Sequence, residues 1–140
     1  MQCTAPKPVH TRSITEACRR FPGQRDHVRE VRIWARETLS TWGVGVPEDL
    51  ALVITELATN AVDHTFSGDE GGIFTVRLYL HGDHVRVVVR DAGPRAGRTP
   101  TRRTPVPTAL HGRGLTLVAA CSTSWGALRY GTGVFAEVPR

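Results

Sequence analysis

The stretch of sequence that decides the fold is PEDLALVITELATNAVDHT, residues 47–65. Pro47 suits the first position of a helix, and Glu48 and Asp49 favour the positive end of the helix dipole. Most of the following positions are apolar and surround the helix on most sides: Leu50, Val53, Ile54, Leu57, Ala58, Ala61 and Val62. The pattern therefore predicts a largely buried helix that runs from Pro47 to about Thr65.

One polar stripe interrupts this apolar surface. Glu56 is followed by Asn60, Asp63 and His64 at spacings of four, seven and eight residues, which place side chains on the same helix face. Because an unpaired buried polar group costs roughly 1–3 kcal/mol, the stripe meets either solvent or a polar-lined pocket. The spacing alone leaves both interpretations open. Chemically, Glu56 can accept a proton, and the amide oxygen of Asn60 is a hard ligand that suits Mg²⁺.

The segments on both sides of this helix have their own periodicity. Residues 24–42 place apolar side chains at three- and four-residue steps, which predicts a second amphipathic helix. Residues 73–80 and 84–90 alternate apolar and polar side chains around Gly82-Asp83, which predicts an antiparallel hairpin. The other predicted elements are a weak edge strand in residues 11–21, a helix starting near Leu115, and strands in residues 124–130 and 134–138.

Helices and strands thus come in blocks along the chain rather than in strict alternation. This order argues against a doubly wound βαβ fold. It favours an α/β protein of the α+β two-layer type, with helices packed on one face of a mostly antiparallel, mixed sheet. The length of 140 residues fits one domain. We expect a flexible N-terminal tail at residues 1–12 and a single domain over residues 13–140.

Composition narrows the class of protein further. The net charge of +5 comes from arginines spread along the chain, which indicates a solvated basic surface rather than a nucleic-acid interface. No run approaches the ~20 apolar residues of a membrane span, and the first residues lack the apolar core of a secretory signal, so we expect a cytoplasmic protein. Cys3, Cys18 and Cys121 are widely spaced and form no CxxC pair, which argues against a zinc site or a disulfide framework.

Asp91 is a second candidate site residue because it ends an apolar strand at a tight turn, Asp91-Ala92-Gly93-Pro94. A carboxylate in this position can accept hydrogen bonds from the exocyclic amine of a nucleobase, and Gly93 lets the backbone approach a ligand. The alternative is a turn aspartate that bonds only to its own backbone.

The segment after this turn leads to a glycine-arginine-glycine sequence. Residues 95–111 hold four arginines, three prolines and four threonines without apolar periodicity, and such a long loop is typical of a functional lid. We place the lid at about residues 92–112. Gly112-Arg113-Gly114, just before the predicted helix, can offer backbone N–H groups to a phosphate, with a flexible hinge as the alternative. The phosphate-binding motif G-x-x-x-x-G-K-[ST] is absent from the sequence.

Three motifs carry a family resemblance when taken in order: ELATNAVDH at residues 56–64, Asp91-Ala92-Gly93, and Gly112-Arg113-Gly114-Leu115. Together they resemble the motifs of the histidine-kinase-like (GHKL, Bergerat-fold) ATPases, and most closely those of the small anti-sigma regulatory serine kinases of the RsbW and SpoIIAB type. The similarity extends from about Phe21 to Val138. It implies a Bergerat-type ATP-binding fold with a long lid.

The resemblance also implies roles for individual residues. Asn60 is expected to hold Mg²⁺ against the ATP phosphates, and Glu56 to orient or deprotonate the attacking hydroxyl as the catalytic residue. Asp91 is expected to bind the adenine amino group, with Gly93 shaping its turn. The other cofactor-binding residues implied are Asp63, Gly112, Arg113, Gly114 and Leu115.

The function implied is that of an ATP-dependent protein serine/threonine kinase that phosphorylates an anti-sigma-factor antagonist and sequesters a sigma factor. Whether the chain forms a homodimer stays open. Two departures from the family pattern bear on catalytic rate: Pro94-Arg95 replaces the usual continuation of the aspartate motif, and Gly131-Thr132-Gly133-Val134 contains no lysine. The alternative is therefore a non-catalytic, nucleotide-dependent module that sequesters a regulatory partner. Nucleic-acid binding through residues 95–103 is the weakest alternative, because no aromatic side chain there can stack on a base.

Overall fold

The structure is a computed structural model that describes residues 15–94 and 108–140. For residues 108–114 it describes the main chain only. The predicted tail at residues 1–12 and the predicted lid residues 95–107 lie outside this part of the chain. The strands are β1 (Thr15–Pro22), β2 (Ile73–Leu80), β3 (His84–Arg90), β4 (Ser124–Ala127) and β5 (Gly133–Pro139). The helices are α1 (Val28–Thr41), α2 (Glu48–His64) and α3 (Thr108–Cys121), and two short 3₁₀ turns lie at Arg25–His27 and Phe66–Gly68.

The five strands form one sheet in the order β1-β2-β3-β5-β4, and every pairing among the described strands is antiparallel. β1 lies at one edge of this sheet, as its weak strand pattern predicts. The register pairs Phe21 with Phe74, and both rings are buried and stacked with their centroids 5.7 Å apart. The predicted two-layer α/β architecture with a mostly antiparallel sheet is confirmed.

Helix α2 lies at the centre of the fold. It packs against α1, α3 and the strands β2, β3 and β5. All seven of its apolar positions predicted to be buried are buried. The other residues of α2 are partly buried or exposed, and the polar stripe runs along that side of the helix.

The start of the third helix corrects the prediction. The sequence predicts a helix from Leu115 after a loop through His111, but α3 already begins at Thr108. The glycines at 112 and 114 therefore lie inside the helix rather than before it. Glycine costs a helix roughly 1 kcal/mol per residue, and burial of Leu115 and Val118 in the core offsets this cost.

The last hairpin also differs at one boundary. The sequence predicts a strand as far as Tyr130, whereas β4 ends at Ala127. The Leu128 N–H donates to the carbonyl oxygen of Gly133 at 3.0 Å, one step beyond the last pair of the ladder, and the turn follows this hydrogen bond. Gly133, with φ +150°, lies so close to the Val89 carbonyl oxygen that a Cβ at this position would come within 2.2 Å of it.

Candidate functional site

The polar face of α2 forms the first part of the candidate site. Glu56, Asn60 and Asp63 are each partly buried, neither enclosed in the core nor fully exposed to solvent. At about 100° per residue these three positions fall within an arc of about 60° on the helix surface. The structure therefore brings the predicted catalytic residue and the predicted metal ligand onto one strip, next to the apolar face that fills the core.

Asp63 is held by a residue that the sequence does not single out. Arg25, in the first 3₁₀ turn, donates from Nε to Oδ1 of Asp63 at 3.0 Å and from Nη2 to Oδ2 at 2.7 Å. Both oxygens of the Asp63 carboxylate thus face a guanidinium in bidentate geometry. The assignment of Asp63 to cofactor binding stays a prediction, and any such role has to include Arg25.

The Asp91 turn forms the second part of the site. The Gly93 N–H donates to Oδ1 of Asp91 at 2.8 Å, which is the self-bonding turn that the sequence offers as an alternative. The Asp91 N–H donates to the Thr132 carbonyl oxygen at 3.1 Å, and the Thr132 hydroxyl donates to the Asp91 carbonyl oxygen at 2.7 Å. Gly93 has φ +103°, a conformation that favours glycine. The turn hydrogen bond uses only Oδ1, so it is compatible with ligand binding through Oδ2.

The two parts are connected, because the Asp91 turn is tied to the segment that follows α2. The Phe66 N–H donates to the Gly93 carbonyl oxygen at 2.9 Å, and Thr65 forms an isolated antiparallel bridge with Pro94. The Ala92 N–H donates to Oγ of Ser67, also at 2.9 Å. Residues that are about 25 positions apart in the chain are therefore fixed against each other.

Two glycines explain how this connection is kept rigid. A Cβ on Gly23 would lie 1.6 Å from the Ser67 carbonyl oxygen, and a Cβ on Gly72 would lie 2.3 Å from the same atom. The Gly23 N–H also donates to the Gly72 carbonyl oxygen at 2.9 Å. The second 3₁₀ turn thus packs against main chain that has no side chains at the contact. Pro22-Gly23 is a dipeptide typical of turns, and nothing in the sequence itself indicates this contact.

Burial sets the proton affinity of the Asp91 carboxyl. Desolvation raises the pKa of Asp91 above its ordinary value, while the hydrogen bond from the Gly93 N–H and the nearby Thr132 hydroxyl dipole lower it and offset part of that rise. A carboxyl whose pKa is raised in the folded state stabilises the fold at low pH, and this contribution is lost as the pH rises through the folded-state pKa. Asp91 is therefore maintained at some cost to stability at neutral pH, as is common for residues that serve a site.

The third motif lies in α3, which packs against α2. Gly112, Arg113 and Gly114 are in the helix, and their side chains lie outside the described part of the structure. Leu115 is only 7% exposed and belongs to the hydrophobic core, so a contact with nucleotide would have to come from its main chain. The phosphate-binding assignments of these four residues stay predictions.

The donor set near α2 suits a magnesium ion that is shared with a ligand. Among residues 15–94 and 108–140, no group of three histidine, cysteine, aspartate or glutamate side chains is arranged to hold a metal by itself. An amide oxygen such as that of Asn60 fits Mg²⁺ when phosphate oxygens and waters complete the shell.

The helices in the part of the chain that the structure describes were also compared with the dimensions of a lipid bilayer. None of them is both long enough and apolar enough to cross it.

Substitution of Ser67 tests the connection between α2 and the Asp91 turn. Ser67 is fully buried (0% exposed), and its Oγ accepts the Ala92 N–H. Ser67→Ala leaves that donor without its partner, so we expect the free energy of unfolding to fall by about 1–2 kcal/mol in urea denaturation. Ser40→Ala, at an exposed position of α1, is the matched control with little expected effect. Equal stability of the two variants would show that this hydrogen bond contributes nothing.

Comparison with known proteins defines the class of protein. The sequence pattern of the family described as the histidine kinase-like ATPase domain matches residues 21–132, most of the chain. The matched range contains α2, the Asp91 turn and α3, which form the candidate site. The chain therefore belongs to the histidine kinase-like ATPase domain family, as the three motifs predict.

Individual relatives show which members of this family the chain is similar to. The chain is 41% identical to the serine-protein kinase RsbW of Listeria innocua over 46 residues, which is 33% of this chain and 29% of that protein. It is 30% identical to the serine-protein kinase RsbW of Bacillus subtilis over 76 residues, which is 53% of this chain and 48% of that protein. The chain thus spans less than half the length of these curated relatives.

Proposed function

We propose that this chain is an ATP-dependent protein serine/threonine kinase that phosphorylates a regulatory partner. One observation carries the proposal: the C-terminal end of α2, the helix that holds Glu56 and Asn60, is tied to the Asp91 turn in a fold of the ATPase family. A carboxylate for proton transfer, an amide oxygen for a metal and a carboxylate for a base amine are the groups needed to bind ATP and use it. The similarity to serine-protein kinases favours a hydroxyl as acceptor.

In the proposed reaction, a serine or threonine hydroxyl of the partner attacks the γ-phosphorus of ATP. The new bond joins the hydroxyl oxygen to phosphorus, the bond to the β-phosphate oxygen breaks, and ADP leaves with that electron pair. Glu56 orients the hydroxyl and accepts its proton. Asp91 accepts a hydrogen bond from the adenine amine through Oδ2. When bound at Asn60, Mg²⁺ neutralises charge on the phosphates.

The motifs that resemble the anti-sigma kinases extend the proposal to the partners. The phosphate acceptor is then an anti-sigma-factor antagonist, and a sigma factor is a second protein partner. Both are cytoplasmic proteins, so we place this activity in the cytoplasm.

A second candidate function is binding of nucleotide and partner without phosphate transfer. The departure at Pro94-Arg95 favours it, because the usual continuation of the aspartate motif is absent and Pro94 is engaged in a bridge with Thr65. The two functions differ in one measurement. A kinase moves the labelled γ-phosphate of ATP onto a candidate antagonist, whereas a binding module takes up ATP and leaves the label in place.

The nucleotide specificity tests the role of Asp91. We expect Asp91→Asn to weaken ATP binding by roughly 10- to 100-fold in calorimetric titration, because a charged acceptor for the adenine amine is lost. GTP has no amine at that ring position, so its weaker binding should change little. For the unmodified chain, ATP affinity should fall as the pH is lowered through the raised pKa of Asp91.

The control for this experiment is thermal stability. Because Asp91→Asn removes a desolvated charge, the variant should be at least as stable as the parent at neutral pH. An unchanged preference for ATP over GTP in a folded Asp91→Asn variant would count against adenine recognition by this residue.

A further inference from the structure

Arg25 forms a bidentate ion pair with a partner far away in the sequence. The two hydrogen bonds to Asp63, at 3.0 and 2.7 Å, join the turn after β1 to the last part of α2 across 38 residues. The Arg25 side chain is 74% exposed, whereas that of Asp63 is only 20% exposed. An exposed arginine has many solvated conformations available, so a bidentate contact to a partly buried carboxylate is a specific arrangement.

Asp63 is an unfavourable residue for the position that it occupies. It is the penultimate residue of α2, and a helix C-terminus carries partial negative charge that disfavours a carboxylate. It also lies about one helical turn beyond Asn60 on the face proposed to take the phosphates of ATP. Without a counter-ion, Asp63 would repel a triphosphate at that face.

We propose that Arg25 is a positioning residue that neutralises Asp63 and so allows a polyphosphate to bind beside Asn60. This inference rests on the proposed function, because it assumes that the triphosphate lies along the α2 face. The bidentate pair fixes the position of the carboxylate and neutralises its charge. Through the same contact, the guanidinium joins the turn after β1 to the end of α2. The hydrogen bond and the charge attraction to Asp63 both raise the pKa of Arg25. A guanidinium is in any case charged at every physiological pH.

A double-mutant cycle tests the proposal. Arg25→Met keeps the length of the side chain and removes its charge, Asp63→Asn removes the carboxylate charge, and the third variant combines both. Affinity for Mg²⁺-ATP is measured by calorimetry at low ionic strength. We expect roughly tenfold weaker binding for Arg25→Met, and recovery of most of that loss in the double variant, because no unpaired carboxylate then faces the phosphates. The Asp63→Asn single variant completes the cycle and measures what the carboxylate itself contributes to binding. The deficit of Arg25→Met should shrink at high salt.

Two controls separate a charge effect from a structural one. Adenosine lacks phosphates, so its binding should be equal for the parent and for Arg25→Met. Arg29→Met removes the same charge from an exposed position of α1 and should leave ATP affinity unchanged. Since Arg25 is exposed and lies outside the core, all four variants are expected to fold, which circular dichroism and urea denaturation check.

Each other outcome overturns the proposal in a distinct way. Weaker adenosine binding by Arg25→Met would show a structural role. Failure of Asp63→Asn to rescue Arg25→Met would mean that Arg25 contacts phosphate directly. Normal ATP binding by Arg25→Met would show that Arg25 does not contribute to ATP binding. Absence of ATP binding by the parent chain would overturn the proposed function itself, whereas the preceding results leave that function in place.

Discussion

Replacing Glu56 by glutamine is expected to lower the rate of γ-phosphate transfer by roughly 10²- to 10⁴-fold, the range typical for the loss of a general base. Glutamine has nearly the same shape and can still hydrogen-bond to a hydroxyl, but it cannot accept the proton. Because Glu56 acts on the acceptor hydroxyl rather than on ATP, ATP affinity should stay within about threefold of the parent value.

The measurement uses ATP labelled at the γ-phosphate and a candidate antagonist protein at saturating Mg²⁺-ATP. Glu37→Gln, which changes an exposed carboxylate of α1 in the same way, is the matched control and should transfer phosphate at the parent rate. If Glu56→Gln and the parent are equally active, Glu56 is not the base. If the parent binds ATP but transfers no label to any candidate acceptor, the binding-module function is the better interpretation.

The parts of the fold that the sequence predicts well are those whose signals are local. The seven apolar positions of α2 are three, four or one residues apart, and each of them is buried in the structure. Strand β2 alternates between core and outer face as its residue types alternate, and β3 does so as well except at Val88, which is also buried. In both cases burial of one face decides the structure, and that face can be identified from residue spacing alone.

The parts that the sequence does not predict depend on contacts between distant segments. Arg25 looks like any other arginine in a basic chain until the fold places it against Asp63. Ser67 reads as part of a helix-ending turn, and only the fold shows that its hydroxyl holds the Ala92 N–H. The early start of α3 at Thr108 has the same cause, because core contacts of Leu115 and Val118 stabilise a helix whose glycines locally argue against it.

Asn60 shows where local pattern and tertiary structure reinforce each other. Its spacing from Glu56 is a property of the helix, but its partial burial arises because α1, α3 and the sheet surround the rest of α2. A partly dehydrated amide oxygen is a better metal ligand than a fully exposed one, since fewer waters compete for the ion. The role in metal binding is therefore best tested through the metal dependence of nucleotide affinity.

Replacing Asn60 by alanine is expected to weaken binding of Mg²⁺-ATP by roughly 100-fold, in the range seen when a metal ligand or its support is lost. A more specific readout is the ratio of the ATP affinity measured with Mg²⁺ to the ATP affinity measured without it. For the parent chain, ATP affinity in Mg²⁺ should exceed the affinity in EDTA by roughly 100-fold, whereas for Asn60→Ala the two affinities should be nearly equal. This comparison cancels any general weakening of the site, because both measurements use the same variant.

Asn60→Asp is the informative second variant, because it keeps an oxygen ligand at the same place and adds a negative charge. It should retain a dependence on Mg²⁺ while binding metal-free ATP more weakly than the parent, since the added carboxylate repels the phosphates. A general defect in folding would instead lower affinity equally with and without the metal. Asn60→Ala that keeps the parent's ratio of affinities would show that the ion is held by other groups, and the polar face of α2 would then need a different function.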